Sequence, residues 1–180
     1  EARQAFLAIT KHVLFGGAEA PNGVRQASSL QEPSEPMVEI HERDIALIMY
    51  TSGTTASPKG VMHCHLVVYM TALANIGEWS ITRDDRLLIT LPLFHCAAHI
   101  MITTFLAAGA SVVLRSSFDA GDALVSIGRH NITVVIGLPM MYAAMYEHAS
   151  RRAFASLRLC FYVMAPMART LLPKLIADFC

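Results

Sequence analysis

A segment rich in hydroxyl groups, residues 51–60, has the residue types that bind anions in proteins. It holds five Ser or Thr side chains, two glycines and one lysine. Glycine lets the backbone approach a ligand closely, so backbone N–H groups and hydroxyls can converge on an anion beside the compact charge of Lys59. A triphosphate needs this combination, although Ser, Thr, Gly and Pro are also common in surface turns. The segment lacks the Walker pattern, because Pro58 precedes Lys59 and Gly60 follows it.

Two clusters of His and Cys, at residues 63–65 and 95–99, offer side chains that zinc accepts as ligands. His95 and His99 are spaced to share one face of a helix. The chain lacks both the carboxylate of a His-Glu-x-x-His motif and a Cys-x-x-Cys pair. We therefore expect packed histidines and no metal site, with structural zinc as the lesser alternative. Cys96 follows His95 directly, and adjacent helix residues do not face each other, so a cysteine nucleophile is not expected.

Strand-like and helix-like segments alternate about five times after Asp44, which predicts an α/β fold. The predicted strands are residues 45–50, 86–91, 111–114, 133–136 and 159–163, the first of them buried. The predicted helices are residues 65–79, 94–108, 120–130, 139–148 and 168–179. Gly109 is placed to end one helix and Asp119 to cap the next. This alternation predicts a mainly parallel sheet flanked by helices on both faces.

Three segments follow the carboxyl ends of predicted strands: the loop from Thr51, residues 91–95 and residues 162–167. Ligands of open parallel sheets bind beyond the carboxyl ends of the strands. The sequence therefore predicts that these three segments form one edge where a ligand binds.

The first 43 residues differ in pattern from the rest, so we expect a lead-in at residues 1–43 and an α/β subdomain at residues 44–180. Within the lead-in, residues 2–12 predict a short helix and residues 12–15 a strand. Gly, Pro and small polar residues are frequent in residues 16–36, which predicts a loop.

The composition excludes several classes of protein. Apolar residues make up 54% and charged residues 16%, which excludes intrinsic disorder. The 14 basic and 14 acidic residues form no basic stripe, so nucleic-acid binding is not expected. Residues 87–114 carry no charge, but Pro92 and Gly109 interrupt them, which favours a buried strand–helix–strand unit over a transmembrane segment. The four cysteines and the lack of a leader pattern favour a cytoplasmic protein.

Residues 50–61 resemble the phosphate-loop signature of the adenylate-forming superfamily. That signature reads Tyr-Thr-Ser-Gly-Thr-Thr-Gly-x-Pro-Lys-Gly-Val, and this chain departs from it only at Ala56. Residues 91–95, Leu-Pro-Leu-Phe-His, resemble a second motif in the form typical of acyl-CoA ligases, and residues 137–139 and 165–167 resemble two further turns. The resemblance implies part of the large N-terminal domain of an acyl-CoA synthetase that acts on fatty or other apolar acids.

The resemblance also implies roles for particular residues. The phosphate loop would hold the β- and γ-phosphates of ATP through Thr51, Ser52, Gly53, Thr54, Thr55 and Lys59. Lys59 and His95 would be the catalytic residues, with His95 near the carboxylate of the acid. The adenine and the acid would be bordered by His95, Val163, Met164, Ala165 and Pro166. Magnesium, with a ligand outside this chain, and coenzyme A, which takes the acyl group, would complete the reaction.

Two substitutions and one absence set this chain apart from the superfamily pattern. Ala56 adds a Cβ atom where the signature has Gly. Val163 and Met164 replace a Gly-Gly pair, which predicts a narrower pocket for short or slender acids. The superfamily's Tyr-Gly-x-Thr-Glu segment does not occur, so we expect an excerpt that is inactive without the remaining domains and compatible with a homodimer. A degenerate nucleotide-binding or interaction domain without ligase activity is the alternative interpretation.

Overall fold

The computed structural model describes residues 12–14, 24–26, 38–51, 58–148 and 154–179, the first two segments by their backbone alone. The chain divides into two compact units, Glu1–Glu39 and Ile40–Cys180. In the first unit, β1 (His12–Leu14) pairs in parallel with β2 (Val24–Gln26). The predicted strand at residues 12–15 is thus confirmed. The loop predicted at residues 16–36 is wrong at β2, and its other residues and the predicted helix before His12 lie outside the described residues.

The described part of the second unit contains a two-stranded sheet, a four-stranded sheet and five helices. In chain order its elements are β3 (Ile45–Thr51), β4 (Lys59–Cys64), α1 (His65–Trp79), β5 (Arg86–Ile89), α2 (Cys96–Ala107), β6 (Ser111–Leu114), α3 (Ala120–His130), β7 (Val134–Gly137), α4 (Pro139–His148), β8 (Leu159–Tyr162) and α5 (Leu172–Phe179). The strand order of the larger sheet is β6-β5-β7-β8, with every pair parallel. The predicted α/β fold with a mainly parallel sheet is confirmed.

Apolar residues alternate between the two faces of this sheet and so build two cores. Leu87 and Ile89 of β5 are fully buried on one face, where they pack with Phe105 of α2. Leu88 faces the other side and packs with Ile127 of α3 and with residues of α4 and α5. Successive strand residues point to opposite faces, so a continuous apolar strand requires helices on both.

The helix boundaries follow local chemistry. Asp119 caps α3 by accepting a hydrogen bond from the Asp122 N–H at 2.8 Å, as predicted. Gly109 has a φ of 71° directly after the last residues of α2, also as predicted. The last helix begins at Leu172 and not at Ala168, because Pro173 is tolerated in the first turn of a helix and breaks a helix interior.

The hairpin of β3 and β4 corrects the prediction for residues 45–64. Residue Thr51 pairs with Lys59 in an antiparallel register, in a sheet separate from the parallel one. An antiparallel pair needs only a short loop, whereas a parallel neighbour needs a long crossover. The predicted burial of β3 is also wrong, since Ile48 is 51% and Tyr50 68% exposed.

The uncharged run at residues 87–114 folds into β5, α2 and β6. Within the described part of the chain, no helix has the length and apolar character needed to cross a membrane.

Candidate functional site

The loop end of the β3–β4 hairpin carries the two described ends of the predicted phosphate loop. Thr51 and Lys59 are both exposed, and Thr51 Oγ1 donates a hydrogen bond to the Lys59 carbonyl at 3.5 Å. Ser52, Gly53, Thr54, Thr55 and Ala56 lie outside the described residues. The register therefore places Thr51 and Lys59 opposite each other at the two ends of one loop.

Gly60 lies in a tightly packed part of the hairpin. A Cβ atom at this position would lie 3.2 Å from Ile48 Cγ2 and 3.4 Å from Tyr50 Cε1. Both distances are short for carbon atoms, so a larger residue would push the side chains of β3 aside. Gly60 thus lets β4 approach β3 closely next to Lys59.

His95 is the N-cap of α2, although the sequence predicts it inside the helix. Its backbone is extended, and its Nδ1 accepts a hydrogen bond from the Ala97 N–H at 3.3 Å. Because Nδ1 accepts, the neutral ring carries its proton on Nε2, which is then a donor. His95 is half-buried, at the carboxyl end of β5, so this donor is suited to a carboxylate oxygen.

The N-cap position also removes the geometric basis of the zinc interpretation. Since His95 precedes the helix, it does not share a helix face with His99. Among the described residues, no group of three His, Cys, Asp or Glu side chains could hold a metal ion. Cys96 Sγ lies 3.7 Å from His95 Nδ1, so the thiol contacts the ring of the N-cap residue.

The segment after β8 combines a packed residue with a strained one. The Val163 N–H donates to the Gly137 carbonyl at 3.2 Å, and the Val163 side chain packs against the core on the α2 face. Met164 has a φ of 70° and a side chain that is 59% exposed. A non-glycine residue in this left-handed region costs about 1–2 kcal/mol. Met164 therefore does not fill a pocket among the described residues, and its backbone is strained.

Tyr142 of α4 holds the strands that lead into this turn. The side chain is 1% exposed, and its Oη lies 2.7 Å from the Phe161 carbonyl oxygen and 3.1 Å from that of Val135. Burial, with a smaller contribution from Cys160, raises the pKa of Tyr142 far above its usual value, so the hydroxyl stays a donor. The sequence analysis missed this residue. The available signal was one tyrosine in an apolar helix, because a buried tyrosine hydroxyl needs a partner.

A polar network fixes the opposite, amino-terminal edge of the sheet. Asp85, 3% exposed, accepts from Arg158 Nη2 at 2.6 Å, from Arg158 Nε at 2.7 Å and from Thr133 Oγ1 at 2.7 Å. Arg158 also donates to the Ser80 carbonyl at 3.0 Å, at the end of α1. These residues precede β5, β7 and β8, so one carboxylate joins three strands and a helix.

The charges of this network shift two pKa values. Burial alone would raise the pKa of Asp85, but the hydrogen bonds from Arg158, Thr82 and Thr133 outweigh it and lower the pKa to about 2. The hydrogen bond to Asp85 raises the pKa of Arg158 despite partial burial. Near Arg151 and Arg152 in the sequence, Arg158 looks like part of a solvated charged rim, but in the structure it binds the buried carboxylate of Asp85. Arg151 and Arg152 lie outside the described residues.

The chain is similar to a known family and to proteins of known activity. Residues 4–180 match the family model described as AMP-binding enzyme. The chain is 35% identical over 150 residues to a feruloyl-CoA synthase from Amycolatopsis sp, covering 82% of this chain and 30% of that protein.

Two solved structures of one enzyme are also similar. O-succinylbenzoate coenzyme A synthetase from Bacillus subtilis, in complex with AMP, gives a TM-score of 0.77 at 31% identity over 87% of this chain and 33% of that one. Its complex with ATP and magnesium ion gives a TM-score of 0.77 at 30% identity over 86% of this chain and 33% of that one. The chain thus spans about a third of the length of the relatives it matches.

Proposed function

Because the chain belongs to the AMP-binding enzyme family, we propose that its protein is an ATP-dependent ligase that joins a carboxylic acid to coenzyme A. In the first step a carboxylate oxygen attacks the α-phosphorus of ATP, and the bond to pyrophosphate breaks. In the second step the thiol sulfur of coenzyme A attacks the acyl carbon. The bond to the AMP oxygen breaks, and the thiol proton is released.

The hairpin end is the observation that supports the first step most directly. Lys59 and Thr51 lie at the two ends of the loop that carries the remaining candidate residues, Ser52, Gly53, Thr54 and Thr55. We propose that these groups hold the β- and γ-phosphates and keep the α-phosphorus in line with the acid. The protein's contribution is then positioning and charge stabilisation, which need no covalent intermediate with the protein.

His95 and the turn after β8 are proposed to hold the acid and the adenylate. The Nε2 donor of His95 would bind a carboxylate oxygen, and Val163, Met164, Ala165 and Pro166 would border the adenine and the acyl group. Magnesium, when bound, would neutralise phosphate charge. Among the described residues, no group of three His, Cys, Asp or Glu side chains could hold it.

The acid is proposed to be apolar, either fatty or aromatic. Leu138, Met141 and Val163 are half-buried against one core next to the turn, which favours an apolar acyl group. The two relatives compared are named for feruloyl and succinylbenzoate groups, which support an aromatic ring in the acid but also carry polar substituents. If Met164 narrows the site in the whole protein, Met164→Gly should raise kcat/KM for longer acids relative to shorter ones. An unchanged ratio over a chain-length series would contradict this.

Acid-dependent exchange of pyrophosphate into ATP tests the proposed function. We expect exchange with some members of a panel of fatty, cinnamate-like and benzoate-like acids. Lys59→Ala should lower the exchange rate about a hundredfold or more, the typical loss when a charge-stabilising donor is removed. Lys174→Ala is the matched control, because Lys174 is an exposed lysine on α5. ATP binding without exchange for any acid would favour the degenerate nucleotide-binding alternative.

A further inference from the structure

Phe161 of β8 is held from both faces of the parallel sheet. On the α1 side, its ring lies 4.6 Å from the ring of Trp79, centroid to centroid, at an interplanar angle of 55°. On the α4 side, the Tyr142 hydroxyl donates to its carbonyl at 2.7 Å. The same hydroxyl lies 3.1 Å from the Val135 carbonyl on β7, so it spans two neighbouring strands. Phe161 is therefore restrained through its ring and through its backbone.

The restraint lies two residues before Val163, where the candidate adenine and acid turn begins. From Phe161 the chain passes through Tyr162, the Val163 N–H binds the Gly137 carbonyl, and Met164 then takes its positive φ. A strained backbone conformation persists only where the surrounding structure holds it in place. Free of restraint, the Met164 backbone would relax to a negative φ and the turn would move. The two contacts on Phe161 and the Val163 hydrogen bond supply that restraint.

We propose that Tyr142 is a positioning residue for the turn of residues 163–166, and that its hydroxyl sets the affinity of that turn for nucleotide. This inference rests on the proposed function, in which the turn borders the adenine. Tyr142 touches neither ATP nor the acid in this proposal; it acts through the Phe161 carbonyl. Because the adenine is bound equally in the ground state and the transition state, the loss should appear in KM for ATP and not in kcat.

The test compares Tyr142→Phe with Tyr146→Phe. Both tyrosines are on α4, and Tyr146 Oη donates to Asp178 Oδ2 on α5 at 2.7 Å, a bond that includes no residue of the turn or of β8. Each variant keeps the ring and loses one hydroxyl, so their effects on stability should be similar. We expect Tyr142→Phe to raise KM for ATP roughly three- to tenfold with an unchanged kcat, which is the usual weight of one hydrogen bond. Tyr146→Phe should leave KM unchanged.

A second measurement does not depend on activity. Hydrogen exchange of the Val163 amide should be about three- to tenfold faster in Tyr142→Phe than in wild type, and unchanged in Tyr146→Phe. Trp79→Leu removes the ring contact with Phe161 on the other face of the sheet. It should accelerate hydrogen exchange of the Val163 amide as well.

The outcomes separate the inference from the proposed function. A wild-type protein inactive with every acid would refute the ligase proposal. Hydrogen exchange of the Val163 amide in the two tyrosine variants would still test whether Tyr142 restrains the turn. Equal KM values and equal Val163 exchange in the two tyrosine variants would overturn the positioning role. A lower kcat with unchanged KM in Tyr142→Phe would also overturn it, since that is the mark of a smaller folded fraction.

Discussion

At Met164, replacement by glycine should leave the protein more stable than replacement by alanine. Its φ of 70° lies in the left-handed region, and its side chain is 59% exposed. Met164→Ala removes the side chain beyond Cβ and keeps the strain. Met164→Gly removes those atoms and Cβ as well, and so relieves the strain. The difference between the two variants therefore isolates the backbone contribution at this position.

The magnitude follows from two opposing terms. Relief of the left-handed strain contributes about 1–2 kcal/mol in favour of glycine. The greater conformational freedom of glycine in the unfolded chain costs about 0.5–1 kcal/mol. Met164→Gly should thus be more stable than Met164→Ala by about 1 kcal/mol. The loss of the side chain beyond Cβ is common to both variants, so it cancels in the comparison.

Urea unfolding of Met164→Gly and Met164→Ala measures this difference. Met140→Gly and Met140→Ala are the matched control pair. Met140 is 73% exposed and lies in α4, where glycine should be less stable than alanine by up to about 1 kcal/mol. The sign of the Gly–Ala difference should therefore reverse between the two positions. If the glycine variant is the less stable one at both positions, the backbone at Met164 is not strained. The turn would then need no restraint from Tyr142, which would contradict the positioning role.

Two further predictions concern Asp85 and His95. Since the pKa of Asp85 is about 2 in the folded protein against an ordinary 3.8, its stabilisation of about 2 kcal/mol is complete above pH 4 and is lost as the pH falls toward 2. Unfolding free energies measured between pH 5 and 2, in the range set by these pKa values, should show this loss in wild type and a flatter profile in Asp85→Asn. His95→Asn should keep the cap of α2, whereas His95→Ala should cost about 1 kcal/mol more in unfolding free energy. Both His95 variants should lower acid-dependent pyrophosphate exchange, and full exchange by His95→Asn would show that the ring is not needed.

The sequence predicts the parallel sheet well because its signals are local. Apolar strands such as β5 are buried on both faces, and Asp119 and Gly109 mark helix ends through interactions within a few residues. The hairpin was missed because the apolar run of β3 looks like a buried parallel strand. Its antiparallel partner begins with Lys59 and Gly60 directly after Pro58, and these three residues are typical of a loop.

The contacts that could not be predicted join residues far apart in the chain. Asp85 and Arg158 are separated by 73 positions, and no local pattern indicates that one carboxylate binds both Arg158 and Thr133. Arg158 looks like a surface charge in the sequence for the same reason. Tyr142 is similar, because its acceptor Phe161 lies 19 positions away on another element, and no local pattern pairs the two.

The two edges of the parallel sheet have different roles. Contacts at the amino edge stabilise the fold, and the carboxyl edge carries the proposed site. At the amino edge, the Asp85 carboxylate ties together the starts of β5, β7 and β8, which fixes the strands relative to one another. At the carboxyl edge, His95 caps α2 and Met164 occupies a strained turn. The hydrogen bond from Tyr142 to the Phe161 carbonyl restrains the strand that leads into this turn. A strained turn can keep one geometry only on strands that do not shift, so the network at Asp85 is a precondition for the site at the other end. Damage at the amino edge should therefore lower stability, whereas damage at the carboxyl edge should change binding first.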